Sequence, residues 1–279
     1  MDCHQLVRNL PSLSSLPAVL NEIEKSLGRM DMSMEDLAEI ISKDPDLTAR
    51  ILRMANSAFY GIQAGVETVP QALSLIGLDE LRELLNGSSI VEYFQNIPAS
   101  LLNMKEFWKH SVACGIAAKE LAICKKAPEP ERFFVAGLIH GIGRLVLLTK
   151  EPSIYGQILE EHQRSRQTLF SFEKEQLGFN HAEVGRLLLS SWQFPASLVN
   201  AVGHQHYPRK TASAYLEASI VHVADFLVNA MDIGNSGEAS YVWVNPIIIE
   251  DLSLNIHQLQ SIMVQVDRQF DEVIKWFLD

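Results

Sequence analysis

The run from Phe133 to Leu148 is apolar except where His140, Arg144 and glycines interrupt it. A bilayer span wants about 20 apolar residues, and this run is too short and too polar to be one. Its place is therefore a protein interior, as a helix apolar on every side that other helices must enclose. The run predicts one buried helix from Phe133 to Lys150, which carries an imidazole and a guanidinium into the core. With 279 residues, the chain has enough length to build the wall around it.

Helical periodicity and helix punctuation dominate the remainder. Val19, Leu20, Ile23 and Leu27 share one face of a helix predicted over Pro17 to Arg29. Ser33 followed by Asp36 is an N-cap signal that opens Leu37, Ile40 and Ile41. Asp44-Pro45-Asp46 supplies a cap, a first-turn proline and an acid for a helix carrying Leu47, Ile51 and Met54 and stopping near Tyr60-Gly61. Val69-Pro70 starts another through Leu73, Ile76, Leu81 and Leu85, with Gly77 as its weak point. Residues 95–100 read as a connector, and Lys126 to Pro130 as a turn. Asn180 caps a helix through Leu189 that Trp192 to Pro195 ends.

Glycine, asparagine and serine from Asp232 to Ser240 predict a mobile loop. Tyr241-Val242-Trp243-Val244 is the one run fit for an extended segment, and an amphipathic helix from Ile256 to Leu278 follows. The fold class is all-α. Residues 1–100 form an N-terminal helical part, 101–230 a helical core, and 231–279 the loop and a terminal helix packed on that core.

A formal charge of -11 argues against the clustered basic face that nucleic acid requires, though it allows a local basic pocket. Cys3, Cys114 and Cys124 form no C-x-x-C pair and are expected to be free thiols. Met1 to Gln5 has neither the basic nor the apolar part of a secretory signal. A cytoplasmic protein with no membrane insertion is expected.

Several motifs, in order, resemble the HDOD family, a bacterial signalling branch of the HD metal-dependent phosphohydrolase superfamily. They are Leu16-Pro17-Ala18-Val19, Ile41-Ser42-Lys43-Asp44-Pro45-Asp46-Leu47-Thr48, the stretch from Leu52 to Gly61, and Gln71 to Leu78. Phe107-Trp108-Lys109-His110-Ser111, Ala136-Gly137-Leu138-Ile139-His140 and Phe179 to Gly185 continue the match, which covers about residues 10 to 230. The resemblance implies a multi-helix HD-like bundle with an N-terminal helical subdomain.

It also implies a site. His110 matches the first HD histidine, His140 the histidine of the His-Asp pair, and Asp225 the last aspartate. The aspartate of the pair is Gly141. His181 and His206 match positions that two-metal relatives use for further ligands, and Gln205 stands where those relatives carry another histidine. An HD enzyme makes hydroxide on its metal and polarises a phosphoryl oxygen there. Gly141 supplies no carboxylate for this, so no catalytic residue is expected.

The vestigial metal ligands are thus His110, His140, His181, His206 and Asp225. Helical spacing turns His110 inward with Phe107, Cys114, Ala117 and Leu121, and Asp225 inward with Val221 and Val228. A buried His110–Asp225 pair satisfies both groups without an ion. The alternative is one divalent transition metal, Zn, Fe or Mn, while no other cofactor is expected.

Arg144 is the candidate phosphate ligand, or equally a partner for a carboxylate, and His222 is a further neighbour for Asp225. His204 is expected at the surface, as are His4, His162 and His257, and Glu160, Glu161, Glu173, Lys174 and Glu175 read as solvated helix surface.

A non-catalytic signalling module follows, with receiver or cyclic-dinucleotide-type domains on other chains as partners and no nucleic acid. The alternatives are a phosphohydrolase of nucleotides or phosphomonoesters with a reduced metal site, and a sensor holding a small ligand in the old pocket.

Overall fold

The structure is a computed structural model that describes residues 2–8, 10, 33–60, 65–94, 97–210, 213–238 and 243–278. The helix expected over Pro17 to Arg29, the motif at Leu16, Gly61, and Tyr241 with Val242 lie outside the described residues. Among the described residues there are helices and turns and no strand. The chain divides into two compact units, Met1–Leu10 with Tyr93–Asp267, and Pro11–Glu92 with Arg268–Asp279.

Helix α1 (Cys3–Arg8) belongs to the larger unit, and α2 (Met34–Ser42), α3 (Pro45–Ala55), α4 (Val69–Ile76) and most of α5 (Leu78–Tyr93) belong to the smaller. The Ser33 side chain accepts from the Asp36 amide at 3.1 Å and the Asp36 carboxylate accepts from the Ser33 amide at 3.1 Å. This reciprocal cap satisfies two amides that a helix start leaves without partners. Asp44 caps α3 through the Leu47 amide at 3.0 Å, and Thr48 Oγ1 donates to the Ile41 carbonyl at 3.1 Å, which ties α3 to α2. Leu37, Ile41, Ile51, Met54 and Leu73 form the centre of this unit, each at most 1% exposed. Gly77 adopts φ +85°, so the helix expected from Val69 to Leu85 is two helices.

The larger unit follows as α6 (Met104–Cys124), α7 (Pro130–Ile139), α8 (Ile142–Lys150), α9 (Pro152–His162), α10 (Leu169–Leu177), α11 (His181–Ser191), α12 (Ala196–His204), α13 (Tyr215–Ala230), α14 (Pro246–Asp251) and most of α15 (Ile256–Val273). The short α16 (Lys275–Leu278) lies in the smaller unit, so the expected terminal helix is interrupted at Ile274. Residues 268–279 close that smaller unit: the Glu272 carboxylate accepts from the Ala58 amide at 2.7 Å, and Trp276 meets Phe59 edge-on at 5.3 Å.

Helix α6 is the spine of the larger unit and packs along α7 and α13. Its approach to α7 is backbone to backbone, because a Cβ on Gly137 would stand 2.5 Å from the Cys114 carbonyl oxygen. That intimacy sets the separation of the functional side chains on the two helices. Asn103 caps α6 through the Glu106 amide, and Asn180 caps α11 through the Glu183 amide at 3.0 Å.

A stretch of 18 residues within Pro130–Lys150 has a mean hydropathy of 1.5, enough for a membrane span by composition, but 89% of that stretch is buried inside the protein. It is also not one helix. The chain breaks at His140 and Gly141, so the predicted Phe133 to Lys150 helix is α7 and α8. Periodicity does not register such a break because both flanks are apolar throughout.

The 232–238 segment is anchored rather than loose in its contacts. The Asn235 amide donates to the Glu106 carbonyl at 2.9 Å, and Gly234, at φ +66°, presses its Cα against the start of the His110 turn. A Cβ at Gly234 would collide with the Glu106 oxygen and the His110 nitrogen.

Candidate metal centre

Two helices and one helix end converge on a small buried cluster. His110 and Cys114 sit one turn apart on α6, His140 is the C-cap of α7, and Asp225 lies in α13. His110 Nε2 is 2.9 Å from Asp225 Oδ1 and 3.3 Å from Cys114 Sγ. His140 Nε2 is 3.6 Å from the same Asp225 oxygen, and the four donor atoms all lie within 4.8 Å of one another. Asn229 steadies Asp225 from one turn along, donating to Oδ1 at 3.0 Å. His110, Cys114 and His140 are at most 1% exposed, whereas the Asp225 side chain is 23% exposed and forms the open side.

The tautomer of His140 is set by its neighbours. Its Nδ1 lies 2.6 Å from the Gly137 carbonyl, an acceptor only, so Nδ1 carries the proton and Nε2 a lone pair. That Nε2 is buried with no hydrogen-bond partner. Burial, with His110 and Arg144 adding to it against Asp225, pushes the His140 pKa down to about 4. Burial alone would raise the Asp225 pKa, but the His110 hydrogen bond and the charges of His140, His110 and Arg144 outweigh it and hold the carboxyl below its ordinary range. The Cys114 thiol is driven well up by burial and by Asp225.

Such a cluster fits a single transition ion. Tetrahedral bonds of about 2.0–2.3 Å put neighbouring donor atoms about 3.3–3.8 Å apart, close to the spacings here. The orphaned Nε2, with its opposite nitrogen fixed by a carbonyl, is the arrangement a ligating histidine takes. Gly141 brings no carboxylate that could bridge a second ion. A Cβ on Gly141 would lie 2.9 Å from Phe107 Cζ and 3.2 Å from Cε2, so the ring of Phe107 crowds the first atom of any side chain placed there.

His181 and His206 belong to a second network. His181 Nδ1 donates to Glu173 Oε2 at 2.6 Å, which leaves its Nε2 as an acceptor; His206 Nε2 lies 2.8 Å from His181 Nε2, and an Arg144 amino group lies 3.2 Å from the same atom. The lone pair that a metal would use is occupied twice. His206 stacks on Phe170 at 4.2 Å between centroids. Burial, together with Arg144 and the neighbouring histidines, drives both pKa values well below the ordinary range. These two residues are therefore not in the donor cluster of His110, His140 and Asp225.

Arg144 is 2% exposed and its partners are internal. One amino group donates to the Ser236 carbonyl at 2.7 Å, and the other lies 3.5 Å from Glu238. It serves the 232–238 segment, with a carboxylate within reach. Gln205 donates from Nε2 to the His140 carbonyl at 2.8 Å and to the Val202 carbonyl at 3.1 Å. His222 accepts from the Asn245 amide at 3.1 Å and meets Trp243 edge-on.

Three expectations of solvent exposure are corrected. Glu173 is fully buried, with Tyr155 donating its hydroxyl to it and the His181 amide donating at 2.8 Å. Its pKa is pushed up to about 7 by burial. His162 is buried beside Ser165 and Glu238, because α9 turns it into the core with Tyr155 and Leu159. His204 is intermediate rather than exposed. Cys114 was legible only as a packing residue, although a cysteine one turn from His110 is itself a ligand spacing.

The HDOD domain profile matches residues 13–208. A proposed phosphohydrolase from Shewanella amazonensis SB2B is 27% identical, covers 99% of this chain and 97% of its own, and superposes with a TM-score of 0.75. An HDOD domain protein of unknown function from Geobacter sulfurreducens is 22% identical over 99% of this chain and 98% of its own, with a TM-score of 0.73. An uncharacterised protein of Treponema pallidum (strain Nichols) is 23% identical over 83% of this chain, which spans 44% of that longer protein. The chain belongs to the HDOD domain family.

Proposed function

We propose that the chain is a non-catalytic signal-transduction module of the bacterial cytoplasm that works by binding other proteins. Its partners would be receiver or cyclic-dinucleotide-type domains on other chains. One observation carries this function: Gly141 offers no carboxylate, and Phe107 crowds the point where a side chain there would begin. Without that acid, a second metal has no bridging carboxylate at this position.

A phosphohydrolase with a reduced metal site is the competing function. The buried, unpartnered Nε2 of His140 favours it, as does the 27% identical protein described as a proposed phosphohydrolase. Protein loaded with Zn²⁺, Mn²⁺ or Fe²⁺ is assayed against nucleotides and phosphomonoesters, and a tagged chain is used for affinity capture from bacterial lysate. Capture of signalling proteins with no turnover above the metal-free control supports the module. Turnover that disappears in His140→Ala overturns it.

A further inference from the structure

We propose that Cys114 is the fourth ligand of a mononuclear Zn²⁺ site whose other ligands are His110, His140 and Asp225, and that these four close the coordination shell. The family resemblance assigns three of these residues; the thiol is a feature of this chain. Its sulfur stands 3.3 Å from His110 Nε2, on the same helix and one turn on, with the cluster's donor atoms all within 4.8 Å of one another. The second and independent observation is the His140 Nε2 lone pair, 1% exposed as a residue and without a hydrogen-bond partner, directed to the same point.

The donor set is suited to zinc. Two imidazoles, a carboxylate and a thiolate are what a borderline-soft d¹⁰ ion takes in tetrahedral geometry. The thiolate removes preference for Mg²⁺ or Mn²⁺, which favour oxygen donors. Proton accounting is simple: the Cys114 thiol releases its proton to solvent on binding, and the His110 proton leaves Nε2 for Nδ1. His140 needs no change, since Gly137 already holds its proton on Nδ1. The partly exposed Asp225 side chain marks the way in for the ion.

This deepens the non-catalytic function and rests on it in one respect. A shell of four protein atoms leaves no position for hydroxide, whereas a catalytic zinc keeps one open. Cys114 thus closes the position that chemistry would need. The bound ion then holds α6, α7 and α13 together at the helix break.

Cobalt substitution tests the assignment without relying on activity. The full chain, with Cys3→Ser and Cys124→Ser to leave one thiol, is stripped and reloaded with Co²⁺. One equivalent should bind with intense tetrahedral visible bands and a near-ultraviolet thiolate-to-cobalt charge-transfer band. Cys114→Ser should abolish the charge-transfer band, weaken zinc affinity by about tenfold or more, and keep the helical circular dichroism of the parent. No stoichiometric metal, no thiolate band, or a band that survives in Cys114→Ser overturns the proposal. Phosphatase turnover by the zinc form with the band intact would sink the non-catalytic function and the closed shell while leaving Cys114 as a ligand.

Discussion

The ring of Phe107 and the bare Cα of Gly141 are fitted to each other: a Cβ on the glycine would stand 2.9 Å from Phe107 Cζ. Restoring the missing acid by Gly141→Asp is therefore expected to destabilise the protein by about 1–3 kcal/mol, as overpacking does. In a Phe107→Leu background the same exchange should cost less, with a coupling of about 0.5–3 kcal/mol between the two sites. Chemical denaturation of the four proteins checks this, and strict additivity would refute it.

Arg144 holds the 232–238 segment from below through the Ser236 carbonyl. Arg144→Met removes one partner of a buried charged network that includes Glu238 and His181. The expected loss is about 3–5 kcal/mol, with faster hydrogen exchange at the Asn235 and Gly237 amides. Unchanged exchange there would show that the guanidinium does not secure the segment.

Glu238 carries the pH dependence that is simplest to isolate. Burial pushes its pKa from the ordinary 4.5 up to about 7, against the Arg144 charge and the Leu169 amide. A raised folded-state pKa means the folded protein holds this proton more tightly. The stability it contributes is complete below about pH 4.5 and lost as pH climbs through about 7. Glu238→Gln keeps an acceptor for the Leu169 amide but not the titration. Relative to wild type, the variant should gain up to about 3 kcal/mol between pH 4.5 and 8. Parallel pH profiles of unfolding free energy for the two proteins would contradict this.

Gly234 stands at φ +66° with its Cα against the Glu106 and His110 backbone. Gly234→Ala should cost about 1–3 kcal/mol from backbone conformation alone, and more from the collision. Because the displaced backbone belongs to His110, the variant should also lose zinc affinity. Thermal melts with and without zinc measure both effects, and an unaltered zinc-induced stabilisation would exclude the link.

Local signals in the sequence were dependable where the physics is local. Ser33 with Asp36 and Asn180 with Glu183 cap the helices they were expected to cap, since a cap involves only the next few amides. His110, His140 and Asp225 were legible as a group through motif resemblance, although 115 residues separate His110 from Asp225. Glu173 was not legible. It lies among Lys174 and Glu175 like any solvated acid, and its burial is decided by Tyr155 and His181 on other helices. The same dependence on distant partners hid His162. The break at His140 escaped because a run apolar on every face has no period to lose.

Gln205 gives the centre a direction of change. Its amide staples the His140 and Val202 carbonyls together, so a histidine at this position would surrender that clamp before any ion repaid the loss. The acid at Gly141 would likewise have to displace Phe107 first. Each of these two exchanges would therefore cost an existing contact before it offered a ligand atom. Under the proposed non-catalytic function, the architecture works as a ratchet that keeps this scaffold out of hydrolysis.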